Sequence, residues 1–139
     1  MTTPGSSDRD HVEICFPADV DFVVIARFGA AAVAARANFD IDEIEDLRLA
    51  VDELCVSFGP LSENRSVRIE FDRAGDLVKV TCRFESADDP SAPGDEVLDW
   101  KRTDDLSRQL LDALVDAHGR EVLDGSRCAW LEKRALARL

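Results

Sequence analysis

Two runs of alternating apolar and polar residues constrain the fold of this chain most strongly. Residues 67–72 and 78–84 each place apolar side chains at every second position, and a short turn at Ala74, Gly75 and Asp76 separates them. This spacing predicts an antiparallel hairpin that buries one face and exposes the other. The chain must therefore supply helices or further strands that cover the buried face.

The segments around this hairpin predict three helices and three more strands. A strand is expected at 11–16, and helices at 19–38, 41–58 and 104–117, with Asp19 and Asp40 as caps of the first two. A second hairpin at 120–131 turns at Asp124 and Gly125. Helices packed on one face of a mainly antiparallel sheet make an α+β two-layer sandwich.

The length and composition fit one domain. The chain has 139 residues, of which 45% are hydrophobic, enough for an ordinary core. We expect a disordered tail at 1–10, which is small and polar, followed by a single domain at 11–139. No apolar run reaches the ~18 residues of a membrane span, so no membrane association and a cytoplasmic location are expected.

The chain is strongly acidic, with a formal net charge of −12 from 29 acidic and 17 basic residues. Such a surface repels phosphates, which argues against direct binding of nucleic acid. It suits a basic protein partner, although acidic residues also simply keep proteins soluble.

The cysteines and histidines do not predict a metal site. The four cysteines are not in CxxC spacing, and His11 and His118 are far apart in sequence. Each cysteine is within an apolar segment, so buried, reduced thiols are expected.

The second predicted helix carries a candidate catalytic carboxylate. At 100° per residue, Glu53 lies almost opposite the core stripe centred on Val51. The same calculation places Leu49, Ala50, Val56 and Ser57 beside it. A carboxylate on a partly apolar face can act as a general base, whereas the simpler alternative is a solvent-exposed glutamate.

The segment DLRLAVDELCVS at 46–57 resembles the N-box helix of the GHKL (histidine-kinase-like) ATPase fold. More narrowly, it resembles the serine-kinase anti-sigma factors of bacterial sporulation and stress control. The element order, Phe16 before the first helix and the ending GSRCAWLEK at 125–133 extend the resemblance over about residues 11–134. Glu53 matches the family glutamate, which implies a role in activating a substrate hydroxyl.

The nucleotide motifs of that family are degenerate in this chain. Ser57 replaces the N-box asparagine that helps to hold Mg²⁺, and Phe84 replaces the aspartate that reads adenine. Asp105 stands in the stretch that matches the phosphate-binding Gly-x-Gly. Phosphate cradles need glycine and avoid fixed negative charge. We therefore expect no cofactor, with ATP and Mg²⁺ bound only if kinase activity is retained.

The resemblance implies an anti-sigma factor. It would sequester an alternative sigma factor, would be countered by an anti-anti-sigma (STAS) protein, and would form a homodimer. On the first helix, Arg27, Val23 and Val24 are the candidate partner-binding residues, because the family uses this helix for both partners. Two alternatives remain open: an active ATP-dependent serine/threonine kinase that phosphorylates the antagonist, and an α+β domain with a partner unrelated to transcription.

Overall fold

The computed structural model describes residues 8–56, 65–86 and 105–136. These residues form an α+β two-layer sandwich, as predicted, with five strands, three α-helices and a short 3-10 helix (Val20–Phe22) in the described ranges. The predicted cap Asp19 accepts a hydrogen bond from the backbone N–H of Asp21 at 2.9 Å and so caps the 3-10 helix, whereas the α-helix itself begins only at Val23. In chain order the elements are β1 (Arg9–Pro17), α1 (Val23–Arg36), α2 (Ile41–Val56), β2 (Arg65–Ala74), β3 (Leu77–Ser86), α3 (Asp105–Leu114), β4 (Ala117–Leu123) and β5 (Ser126–Arg134). This order is consistent with the GHKL-like arrangement that the resemblance implies.

The five strands form one antiparallel sheet with the order β1-β2-β3-β5-β4. Val67 lies opposite Phe84, and Cys82 lies opposite Ala129. Residues directly opposite each other point to the same face, so the alternating pattern of each strand is in phase with that of its neighbours. The strands β1 and β4 are the two edges.

The core lies between one face of this sheet and the helices. Its largest fully buried side chains are Phe71, Leu47, Leu54, Ile69, Leu131, Val51, Val67, Val78 and Val80. The helices α1 and α2 pack against each other, and α2 also contacts α3, β3 and β5. The other face of the sheet carries charged pairs such as His11 with Asp72 and Arg68 with Glu13.

Both predicted hairpin turns are present. Gly75 joins β2 to β3 with φ of 61°, and Asp124 and Gly125 join β4 to β5 with φ of 52° and 79°. A two-residue turn with φ positive at both positions is the type that matches strand twist, and it favours Asp-Gly.

The N-terminal boundary differs from the prediction. β1 begins at Arg9, two residues before the predicted start, because the Asp10 carboxylate accepts hydrogen bonds from Arg36 Nε at 2.6 Å and Arg73 Nε at 2.5 Å. Arg73 is buried, so this contact fixes the start of the strand to the core. Residues 1–7 of the expected tail lie outside the described residues.

The cysteine prediction is confirmed for three of four residues. Cys55, Cys82 and Cys128 are buried, and none of the four cysteines, all of which lie in the described ranges, forms a disulfide. Cys15 is exposed, because it is on the uncovered face of the edge strand β1.

Candidate functional site

Two hydrogen bonds from backbone N–H groups to side-chain carboxylates fix the start of α2, the helix that carries Glu53. Asp40 Oδ1 accepts from the backbone N–H of Glu43 at 2.8 Å, and Glu43 Oε1 accepts from the N–H of Asp40 at 2.9 Å. This reciprocal pair is a capping box. Glu43 Oε2 also accepts from the N–H of Leu136 at 2.7 Å, so the same carboxylate joins α2 to the segment after β5.

Glu53 is half-buried on α2. Of the residues expected beside it, Leu49 and Val56 are exposed by 54% and 47%, so this side of the helix is partly apolar as expected. Ala50 is fully buried, which corrects its assignment to the far face. It follows Leu47 by three positions and precedes Leu54 by four, and this spacing places it on the core stripe. Ser57, the N-box position, lies outside the described residues.

Phe84, which the resemblance places at the position of the adenine-reading aspartate, is part of the core with 4% of its surface exposed. The guanidinium carbons of Arg65 on β2 and Arg127 on β5 lie 5.1 and 5.0 Å from the centre of its ring. These distances are within the range of cation–π contacts. The Phe84 ring therefore serves packing, with two positive charges beside it.

Asp105 is exposed at the start of α3, and its Oδ1 pairs with Arg108 Nη2 at 2.9 Å. Two residues on, Ser107 is buried, and its hydroxyl has no hydrogen-bond partner in the part of the chain that the structure describes. The hydroxyl could donate to a ligand oxygen. The Asp105 carboxylate, however, opposes a phosphate at this helix terminus.

These residues do not fit the ATP contacts of the GHKL family. At the positions that the resemblance assigns to adenine and phosphate, the chain has an apolar ring between two arginines and a helix that begins with a carboxylate. Between the described residues, no hydrogen bond or ion pair joins Glu53 to Asp105. We therefore derive no catalytic step through a nucleotide.

The candidate partner-binding residue Arg27 lies on α1, where it faces α2. Its Nε is 3.6 Å from Asp52 Oδ1, and the two side chains are 39% and 40% exposed. The Nε atom is shielded from solvent and makes no hydrogen bond within the described ranges. Val24 is half-buried, whereas Val23 is only 3% exposed. The side chain of Val23 is therefore a core residue and offers no surface to a partner in this conformation.

Exposed apolar side chains surround the Arg27–Asp52 pair, and the sequence reasoning did not identify them as a set. Val20 lies in the short 3-10 helix that leads into α1, and it is 66% exposed. On α2, Leu49 and Val56 flank Asp52 at helical spacing. We call Val20, Val24, Arg27, Leu49, Asp52 and Val56 the helical patch. The sequence does carry a signal for this surface, because α1 has more apolar residues than a single buried face of a helix requires.

None of the helices in the described residues is long and apolar enough to cross a bilayer. Over the same ranges, no three histidine, cysteine, aspartate or glutamate side chains come together in a group that could hold a metal ion.

Comparison with known proteins gives partial matches to serine-protein kinases. The chain is 38% identical over 52 residues to the serine-protein kinase RsbW of Bacillus velezensis, and 39% identical over 51 residues to RsbW of Bacillus subtilis strain 168. The RsbW of Bacillus cereus strain AH187 matches over 48 residues at 38% identity. No family model matches the chain.

The matched segment covers 37% of this chain and 32% of the first two relatives. The matched part of the chain therefore spans about a third of the length of these curated relatives. These matches support a relationship to RsbW serine-protein kinases and agree with the resemblance that the α2 segment indicated.

Proposed function

We propose that this chain is an anti-sigma factor that sequesters an alternative sigma factor through the helical patch. The observation that carries the proposal is the exposed apolar surface around the half-buried Arg27–Asp52 pair. Exposed apolar side chains grouped around a charged centre are typical of protein–protein contacts, in which arginine is a frequent hot spot. The similarity to RsbW kinases supports a partner of this class.

Binding follows from the chemistry of the patch. Burial of Val20, Leu49 and Val56 against a partner removes apolar surface from water. The unsatisfied Nε of Arg27 can donate to a carbonyl or carboxylate of the partner. The net charge of −12 favours encounter with the basic surfaces that sigma factors use on DNA.

Release of the sigma factor is assigned to an anti-anti-sigma (STAS) protein that competes for the same patch. A shared surface makes the two partners mutually exclusive, so an excess of the antagonist displaces the sigma factor by mass action. The resemblance of the α2 segment and of the element order supports this partner. We place the complex in the cytoplasm, where sigma factors act.

The second candidate function is an ATP-dependent serine kinase that phosphorylates the antagonist. The name of the matched relatives favours it, and so does the unpartnered, buried hydroxyl of Ser107 within the described residues. Glu53 would then activate the substrate hydroxyl. The positions of Phe84 and Asp105 disfavour it, because neither supplies the family contact to the nucleotide.

Isothermal titration with ATP and Mg²⁺ separates the two functions. We expect no binding tighter than about millimolar, which corresponds to roughly −4 kcal/mol. A micromolar dissociation constant would contradict the purely sequestering function and promote the kinase.

The substitution Arg27→Ala tests the helical patch. Because the Arg27–Asp52 pair is half-exposed, its loss should cost at most about 1 kcal/mol of folding stability. The affinity for the cognate sigma factor should fall by about 2 kcal/mol, or roughly 30-fold, as at an interface hot spot. Both are measured on the same preparation, by thermal unfolding and by surface plasmon resonance against purified alternative sigma factors.

Arg108→Ala is the matched control, because Arg108 is also a helical arginine paired with one carboxylate but lies on α3, outside the patch. It should leave the affinity unchanged. If the well-folded Arg27→Ala protein binds the sigma factor as tightly as the Arg108→Ala protein does, the patch is not the binding site.

A further inference from the structure

The face of the sheet that the helices leave uncovered has a depression of about 390 Å³ beside the β2–β3 turn. Arg73 is buried on the core side of β2, so its neighbour Ala74 points to the uncovered face. Ala74 and Leu77 lie opposite each other and form an apolar floor. We call this cavity the sheet depression, and its charged rim on the uncovered face consists of Arg9, His11, Asp72, Lys79 and Glu132.

Contacts within the chain hold the walls of the sheet depression in place. On one side, His11 Nδ1 of β1 lies 2.6 Å from Asp72 Oδ1 of β2. On the other side, Arg134 Nη1 of β5 donates to Asp76 Oδ1 in the β2–β3 turn at 2.6 Å. The shape of the cavity is therefore formed before any ligand arrives, which reduces the entropy that binding would cost.

Three charged side chains of the rim form no ion pair with the residues that the structure describes: Arg9, Lys79 and Glu132. Lys79 lies directly opposite Glu132 in the ladder, where opposite charges usually attract each other. The Lys79 Nζ atom instead lies 5.5 Å from the centre of the Trp130 ring, a cation–π contact. The Glu132 carboxylate can therefore accept hydrogen bonds at one end of the cavity, and the Arg9 guanidinium can donate them at the other.

These charges select the class of ligand. A purely anionic molecule would meet the carboxylates of Asp72 and Glu132, and a purely cationic one would meet Arg9 and Lys79. A molecule with a positive and a negative end satisfies both ends of the cavity.

The spacing of the strands sets the length of that molecule. β1 and β5 are three strand spacings apart, which is about 14 Å. A peptide of two or three residues spans roughly 7–10 Å. The side chains of Arg9 and Glu132 extend from the two outer strands over the remaining distance, whereas a single amino acid can reach only one of them.

We propose that the sheet depression binds a short zwitterionic peptide of two or three residues. The C-terminal carboxylate of the peptide pairs with Arg9, and its N-terminal ammonium pairs with Glu132. Apolar side chains of the peptide cover Ala74 and Leu77, and their burial adds affinity. The inference does not rest on the proposed function, because the helical patch lies on α1 and α2, on the other side of the sheet.

The first experiment is a titration of the ¹⁵N-labelled full chain with the tripeptide Ala-Leu-Ala, followed by NMR. The backbone amide signals of Ala74, Leu77 and Lys79 should shift and saturate, with a dissociation constant below about 1 mM. The N-acetylated peptide, the C-amidated peptide and free leucine each lack one of the two charged contacts. Each should bind at least about tenfold more weakly.

Two variants assign the two ends of the peptide. Glu132→Gln should remove the preference for a free ammonium, so that the acetylated and the unmodified peptide bind equally. Arg9→Gln should do the same for the amidated and the unmodified peptide. Glu45→Gln and Arg108→Gln are the matched controls, because these side chains are 56% and 57% exposed on helices away from the cavity, and both should leave the preferences unchanged.

The absence of saturable shifts around the cavity up to about 10 mM peptide overturns the proposal. So does binding of the capped peptides or of leucine as tightly as Ala-Leu-Ala, because the wild-type chain would then not recognise two charged ends. This comparison needs no variant to fold. None of these results bears on the sigma-factor affinity of Arg27→Ala, so the two proposals fail separately.

Discussion

Removal of the Glu43 carboxylate should destabilise the chain more than removal of any other acidic side chain on α2 that the structure describes. Glu43 is 4% exposed, and its two oxygens accept hydrogen bonds from the backbone N–H groups of Asp40 and Leu136 at 2.9 and 2.7 Å. In Glu43→Ala both donors lose their acceptor at partly buried positions. One substitution therefore affects both the start of α2 and the segment after β5.

The magnitude follows from the two bonds. A hydrogen bond to a charged group contributes about 1.5–3 kcal/mol, and two of them give about 3–6 kcal/mol before relaxation. Water can reach the start of the helix and recover part of this, so we expect a loss of about 3 kcal/mol. For a chain of this size that lowers the unfolding midpoint by about 10 °C. Glu43→Gln keeps one acceptor oxygen and should lose about half as much.

The assay is unfolding by urea and by heat, monitored by circular dichroism, with Glu45→Ala as the control. Glu45 is two residues further along α2, 56% exposed, and pairs with Arg48 at 2.8 Å. Its removal should cost at most about 0.5 kcal/mol. If Glu43→Ala is no less stable than Glu45→Ala, the carboxylate does not join α2 to the C-terminal segment and the reasoning fails.

Two further predictions concern titration and thiol chemistry. The hydrogen bond to Asp72 raises the pKa of His11 above its ordinary 6.5. The contact therefore stabilises the fold fully below pH 6.5, and this contribution is lost as the pH rises through the raised pKa. Titration of the His11 ring by NMR should show this, and Asp72→Asn should return the pKa toward 6.5; an unchanged value would contradict it. Ellman's reagent should label Cys15 alone in the native chain, since burial protects Cys82 and raises its pKa. Fast labelling that persists in Cys15→Ser would show that a second thiol is accessible.

The sheet could be predicted because its signals are local. Alternation along β2 and β3 identifies the buried face, and the turns at Gly75 and at Asp124 with Gly125 have the residues that positive φ requires. The cap at Asp40 was predicted from its position before an apolar stripe and is confirmed. Glu43 three residues later completes the capping-box pattern, a signal that could have identified the reciprocal bond from sequence.

The contacts that could not be predicted join residues far apart in sequence. Arg73 is buried because it meets Asp10 across 63 positions, and the carboxylate of Glu43 meets the N–H of Leu136 across 93. α1 is apolar on most sides, so its sequence does not show which face meets the sheet, and the close approach at Gly29 to Ile14 appears only in the folded chain. This also explains why Val23 was assigned to the partner surface although it is in the core.

The resemblance places Phe84 where the family has an adenine-reading aspartate, and one substitution would not restore that contact. Phe84→Asp would remove a buried aromatic ring, at a cost of about 2–3 kcal/mol of apolar burial. It would also place a carboxylate beside the guanidinium groups of Arg65 and Arg127, which lie about 5 Å from the present ring centre. The new carboxylate would pair with these arginines and have little acceptor capacity left for an adenine amine. The ring and the two arginines therefore form one packing unit, and recovery of the family contact to adenine would require changes at all three positions.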